Sequence, residues 1–259
     1  MRVTLLGTGT SFGVPQIGCS CPVCRSTDPK DKRNRTSALV ESNGTTLLID
    51  TPPELRLQLL AAGADRIDGV LYTHEHADHV AGIDDLRIFS LRQRQAIPLY
   101  VNGSTADFLG ESYRYIFDDS IIPLPGTSKP KLQLVRIDPG VPFRAGGLDV
   151  IPLQFEHGRT IVFGFRIGRM AYITDVKAVP EAERRQLAGL DLLILNALWW
   201  RMHPTHLSIG EAIETAAAIG AKQTLLTHLT HETGHAELAR ALPPGIEPAY
   251  DGLSVEIPT

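Results

Sequence analysis

The sequence predicts a layered α/β domain, and three observations carry that prediction. Apolar runs of strand length alternate with helical patterns along the whole chain. No low-complexity linker divides the chain into parts. Its 259 residues, 43% hydrophobic and 21% charged, suit one large globular domain.

The elements follow in order. Residues 2–7 read as a buried strand closed by Gly7-Thr8-Gly9. That glycine stretch lacks the spacing and the lysine of a phosphate loop, so it reads as strand-end packing. A long loop carrying the cysteines comes next. Residues 37–41 and 45–50 form a hairpin around Ser42-Asn43-Gly44. Residues 53–62 are helical: Pro53 suits the first turn, Leu55, Leu59 and Leu60 share a face, and Gly63 stops the helix. Residues 69–73 are an apolar strand. Strand 98–102 feeds a helix capped by Ser104 or Thr105, and residues 116–130 make a long surface loop. Strands follow at 132–137, 148–155, 162–167 and 170–174. A helix at 180–188 leads to a strand at 192–196. Helix 208–219 starts on Ser208 with Glu211 three residues on, a capping box. Strand 222–227 ends on His228, and a short helix and strand 253–257 close the chain.

Composition narrows the function. Net charge is −4, from 25 Lys and Arg against 29 Asp and Glu, so no broad basic footprint for nucleic acid is expected. No apolar run reaches the roughly 20 residues of a membrane span. The opening MRVTLLGTGT is too short for a signal-peptide core. The three cysteines, Cys19, Cys21 and Cys24, lie within six residues, which suits a metal site better than a disulfide framework. A cytoplasmic location is expected.

The strongest chemical signal is His74-Glu75-His76-Ala77-Asp78-His79, directly after an apolar strand. His74 and His76 alternate like strand residues, while Asp78 and His79 fall where a helix starts and can face a second ion. Two ions roughly 3.5–4 Å apart clamp an oxygen and acidify a bridging water, which suits hydrolysis.

This HxHxDH motif resembles the mark of the metallo-β-lactamase superfamily, and the resemblance continues along the chain. The family's third histidine, bridging aspartate and last histidine match His157, Asp175 and His228, each after a predicted strand. The resemblance implies an αββα sandwich spanning 1–259. It implies one metal on His74, His76, His157 and Asp175, and another on Asp78, His79, Asp175 and His228. Asp50 matches a supporting position that hydrogen-bonds the histidine loop. Zn, Mn and Fe all suit these ligands.

Two further segments resemble the phosphodiesterase branch. Thr205-His206-Leu207-Ser208 is similar to a histidine-plus-helix element whose histidine protonates the leaving oxygen; imidazole suits that near neutral pH. The N-terminal glycine stretch followed by Cys19, Cys21 and Cys24 resembles the bacterial phosphoribosyl cyclic phosphodiesterases of phosphonate breakdown. These carry an additional structural zinc on such a loop, here at 18–25. By spacing alone its fourth ligand is open among His203, His231 and His235; the resemblance selects His231.

The expected function is metal-dependent hydrolysis of a small phosphodiester, cyclic ones included, with Asp78, Asp175 and His206 as catalytic residues. Rival readings are hydrolysis of a carboxylic ester, lactone or thioester, and a non-hydrolytic metal or redox protein of cofactor biosynthesis. The charged stretch 84–94 departs from the cyclic phosphodiesterases and leaves substrate identity open. No long basic insertion of the kind that grips transfer RNA is present. Arg87 is a candidate for approaching the metals, Trp199, Trp200 and Met202 for an apolar wall, and Arg33 and Arg35 read as solvated surface. A homodimer is left open.

Overall fold

Seven strands of alternating apolar faces build each of two sheets, and the site lies where both sheets end. The computed structural model describes residues 1–258. In the first sheet, β1 (Arg2–Gly7), β2 (Ser37–Ser42) and β3 (Thr45–Ile49) are antiparallel. β4 (Gly69–Leu71), β5 (Ile97–Val101) and β6 (Leu132–Arg136) continue from β3 in parallel. The second sheet starts with antiparallel β7 (Phe143–Ala145), β8 (Leu148–His157), β9 (Thr160–Ile167) and β10 (Met170–Ile173). It continues in parallel through β11 (Leu192–Asn196), β12 (Gln223–Thr227) and β13 (Ile246–Pro248). β14 (Ser254–Glu256) returns to the first sheet beside β1.

The period-2 alternation of strand side chains decides the layering. Val3, Leu5, Val40 and Ile49 face Phe163, Phe165, Tyr172 and Ile194 in a core between the sheets. The opposite faces are covered by helices. Leu39, Leu48 and Val70 pack with Leu55 and Phe89. Leu193, Leu195 and Leu226 pack with Ile209, Ala212 and Ala216. Each such fully buried side chain contributes about 1.5–3 kcal/mol. The result is an αββα sandwich.

Local differences have local causes. Asn102, not Ser104 or Thr105, caps helix Gly103–Ser112, its Oδ1 accepting the Thr105 N–H at 2.7 Å. β7 and β13, three residues each, are too short to show a period. The first glycine stretch packs as a strand end: a Cβ on Gly7 would lie 1.9 Å from the Arg35 carbonyl oxygen. Arg33 is not solvated; it is 3% exposed and donates to Thr8 Oγ1 (2.9 Å) and the Ala249 carbonyl (2.5 Å).

Candidate metal centre

Strand ends supply the site. Asp50 follows β3, His74 follows β4, His157 ends β8, Asp175 follows β10 and His228 follows β12. Crevices beyond carboxyl strand ends are where open α/β sheets hold ligands. His76 is extended and caps the short helix Ala77–Val80, which carries Asp78 and His79 inward. The donor atoms of His74, His76 and His157 converge within 4.8 Å of one another, as do those of Asp78, His79 and His228. Asp175 lies between the two sets, with Oδ2 3.4 Å from His79 Nε2 and Oδ1 3.1 Å from His228 Nε2. His74 Nε2 and His76 Nδ1 are 2.9 Å apart.

The surrounding groups choose which nitrogen faces inward. Asp50, fully buried, holds His79 Nδ1 at 2.7 Å and also accepts the Thr73 N–H and hydroxyl, each at 2.8 Å. The Thr205 carbonyl holds His157 Nδ1 at 3.1 Å. His79 Nε2 and both ring nitrogens of His228 are buried without a well-directed hydrogen bond, Asp175 being the nearby carboxylate. Buried polar atoms are ordinarily satisfied, so convergent unpartnered imidazoles fit metal ions. Backbone strain marks the same residues: Asp50, Asp175 and His228 take φ of 59°, 59° and 61°, unusual for residues with a Cβ.

Electrostatics agree with a cation site. Burial pulls the His79 imidazole down, but Asp78, Asp175 and Asp50 around it drive it well above its usual range. Burial raises the Asp78 and Asp175 carboxyls, and the neighbouring imidazoles reverse this and hold both below the usual range. Burial and the His79 charge push His74 down.

His206 stands at the edge of this cluster, Nε2 3.0 Å from Asp175 Oδ1. Burial lowers its basicity and the Asp175 bond opposes that. The loop bearing it is pinned by helix Ile209–Ile219, where Ser208 and Glu211 complete a capping box. Beyond His206 opens a cavity of about 200 Å³, walled by Phe12, Trp199 and His203 among others. Trp200 and Met202 point to solvent instead. Arg87 is also turned away: it pairs with Asp84 at 2.7 Å and lines a separate cleft with Arg56 and Leu60. Thr73 and His203 belong to no motif; only the folded loops reveal their contacts.

The cysteine loop forms a second cluster. The donor atoms of Cys19, Cys21, Cys24 and His231 lie within 4.8 Å of one another. Cys21 Sγ is 3.2 Å and Cys19 Sγ 3.6 Å from His231 Nδ1. Cys21 caps the turn Pro22–Arg25, which brings Cys24 back beside it. The bond from the Cys24 N–H and the His231 contact lower the Cys21 thiol to about 6; burial raises Cys24 to about 11. Neither rival ligand joins this donor set: His235 packs on Tyr250 and His203 on His206.

The chain belongs to the metallo-β-lactamase superfamily. The model of the β-lactamase superfamily domain matches residues 45–229. Among solved structures, a new diphosphatase from the PhnP family is 40% identical, with a TM-score of 0.90 over 98% of this chain and 97% of that one. An octanoyltransferase of Porphyromonas gingivalis is 44% identical over 99% of this chain and 52% of its own length. A ribonuclease Z of a Bradyrhizobium is 34% identical over 53% of this chain and 45% of its own. The chain thus spans about half the length of these two curated relatives. It is a metallo-β-lactamase-fold protein with PhnP-family and ribonuclease Z relatives. No helix among the described residues is long and apolar enough to cross a membrane.

Proposed function

We propose that the chain is a dinuclear metal-dependent phosphodiesterase acting on a small phosphodiester, with residues 1–259 working as one hydrolase domain. The observation that carries this reading is His206, set 3.0 Å from Asp175 with an open cavity beyond it. An alkoxide leaving group needs a proton, and an imidazole beside the metal ligands suits its delivery. A carboxyl ester demands less of such a group.

His74, His76, His157 and Asp175 would hold one ion, and Asp78, His79, His228 and Asp175 the other, as Zn, Mn or Fe. When bound, the pair supplies Lewis-acid activation of water and neutralises phosphate charge. Asp175 spans the two ligand sets and fixes their separation. Asp50 and the Thr205 carbonyl hold the imidazoles in register. His206 gives its Nε2 proton to the leaving oxygen. Cys19, Cys21, Cys24 and His231 would close around a structural zinc, leaving no place for water.

A second reading, cleavage of a diphosphate linkage, is favoured by the 40% identity to a PhnP-family diphosphatase over nearly the whole chain. Its leaving phosphate needs little protonation. The two readings separate on His206→Ala. If an alkoxide leaves, the variant loses roughly 10²–10⁴-fold on a nucleoside 2′,3′-cyclic phosphate and far less on an aryl phosphodiester. Equal losses on both would remove the acid role, and loss of bound metal would make His206 a ligand or its support.

A further inference from the structure

We propose that His203 is a positioning residue for His206, accepting the His206 Nδ1 hydrogen so that Nε2 is presented to the leaving oxygen. The inference rests on the acid role of His206 proposed above.

The contacts around the two rings favour one placement of the hydrogens. The backbone N–H of Thr205 lies 3.3 Å from His203 Nδ1. A backbone N–H only donates, so His203 Nδ1 presents its lone pair and its hydrogen sits on Nε2. That same lone pair lies 3.1 Å from His206 Nδ1. Two lone pairs at this distance repel, so the hydrogen between them belongs to His206. The Thr205 hydroxyl joins the arrangement, 3.0 Å from His206 Nδ1 and 3.3 Å from His203 Nδ1.

His203 is itself held. Its ring meets the edge of Trp199 at 5.3 Å. The Arg201 guanidinium stacks 3.6 Å above the Trp199 ring and is anchored by Glu232 at 2.5 Å. His203 belongs to none of the convergent donor sets among the described residues, so no metal role accounts for it. It lines the cavity beside His206 instead.

In the reaction, a hydroxide oxygen forms a new bond to phosphorus as the bond to the leaving oxygen breaks; the electron pair of the broken bond and the Nε2 hydrogen of the doubly protonated His206 both go to the leaving oxygen. His206 is left neutral, its remaining hydrogen on Nδ1 and bonded to His203. Without His203, the ring keeps its contacts with Asp175 and the Thr205 hydroxyl but loses the acceptor that fixes the Nδ1 hydrogen.

The test compares His203→Ala, His203→Asn and His206→Ala on a nucleoside 2′,3′-cyclic phosphate and an aryl phosphodiester, with metal content measured on each protein. Asn places an acceptor oxygen near the former Nδ1. His203→Ala is expected to lower kcat on the cyclic phosphate about tenfold, the worth of one hydrogen bond, with KM and metal content nearly unchanged. The aryl ester should be little affected, and His203→Asn should recover most of the loss. Equal losses on both substrates, or Asn no better than Ala, would overturn the inference. A split in His206→Ala without one in His203→Ala would overturn it alone. A flat His206→Ala would overturn the acid reading and this inference with it. If His203→Ala fails to fold, His203→Asn against His203→Leu gives the same comparison.

Discussion

Asp50 decides which nitrogen of His79 is available, although it meets the site only through its neighbours. Its Oδ2 occupies the Nδ1 side at 2.7 Å and leaves Nε2 unpartnered. Asp50→Ala is expected to weaken metal binding at the Asp78, His79 and His228 set by about 10–100-fold, read by metal titration of the chelated protein. Unchanged affinity would show that the ring needs no such support. The cysteine site carries a pH prediction. In the metal-free protein the Cys21 thiol is lowered to about 6 from an ordinary value near 9.0. A lowered value favours the folded state above the unfolded pKa, and that contribution is lost as pH falls through about 6. Cys24, raised to about 11, has the opposite sign and still carries its proton at neutral pH. Zinc uptake at pH 8 should therefore release protons, and retention should fall as pH drops through about 6. Calorimetry in buffers of differing ionisation enthalpy checks the first, and zinc content across pH checks the second. Uptake at pH 8 without proton release would contradict the first, and zinc held unchanged at pH 5 the second.

At the scale of elements, two structural changes report on how loops are set. Ser208 Oγ accepts the Glu211 N–H at 3.2 Å, and Glu211 Oε2 accepts the Ser208 N–H at 2.8 Å. Ser208→Ala should cost about 1 kcal/mol, seen as a lowered Tm, and slacken the loop that carries His206. A Cβ on Gly82 would lie 2.2 Å from the Pro52 carbonyl oxygen, under the segment that follows His79. Gly82→Ala should cost about 1–3 kcal/mol by overpacking and weaken metal binding together with stability. A variant as stable as the parent would show that the loop shifts freely. These elements also show what was legible. The Ser208–Glu211 box is a local spacing, so it reads directly from sequence. HxHxDH is equally local. His157, Asp175 and His228 come from three separate strands, and only their order in a family resemblance singled them out. Arg33 looked like surface because its partners, Thr8 and Ala249, are remote along the chain. His203 was a mere rival ligand, since its contact with His206 forms across an irregular loop that no periodicity describes.

Across the whole molecule, the two ligand sets sit on different scaffolds. One lies where both sheets end, the other ties the N-terminal loop to the segment after β12. About three ions per chain are expected, two hydrolytic and one structural, from the ligand sets that each can close. Cys21→Ser should lower thermal stability more than turnover per folded molecule, because metal binding at a closed site is folding free energy. Unchanged stability would remove the structural role. Asp175→Ala, which breaks the link between the two imidazole sets, should abolish turnover and lower metal content together. The most direct measurement of the hydrolytic reading is the rate at which metal-replete protein cleaves bis(p-nitrophenyl) phosphate against p-nitrophenyl acetate, before and after chelation. Expected are phosphodiester turnover that vanishes on chelation and returns with Zn, Mn or Fe, and acetate cleavage at background. Acetate turnover rivalling the phosphodiester, or phosphodiester cleavage surviving metal removal, would contradict it.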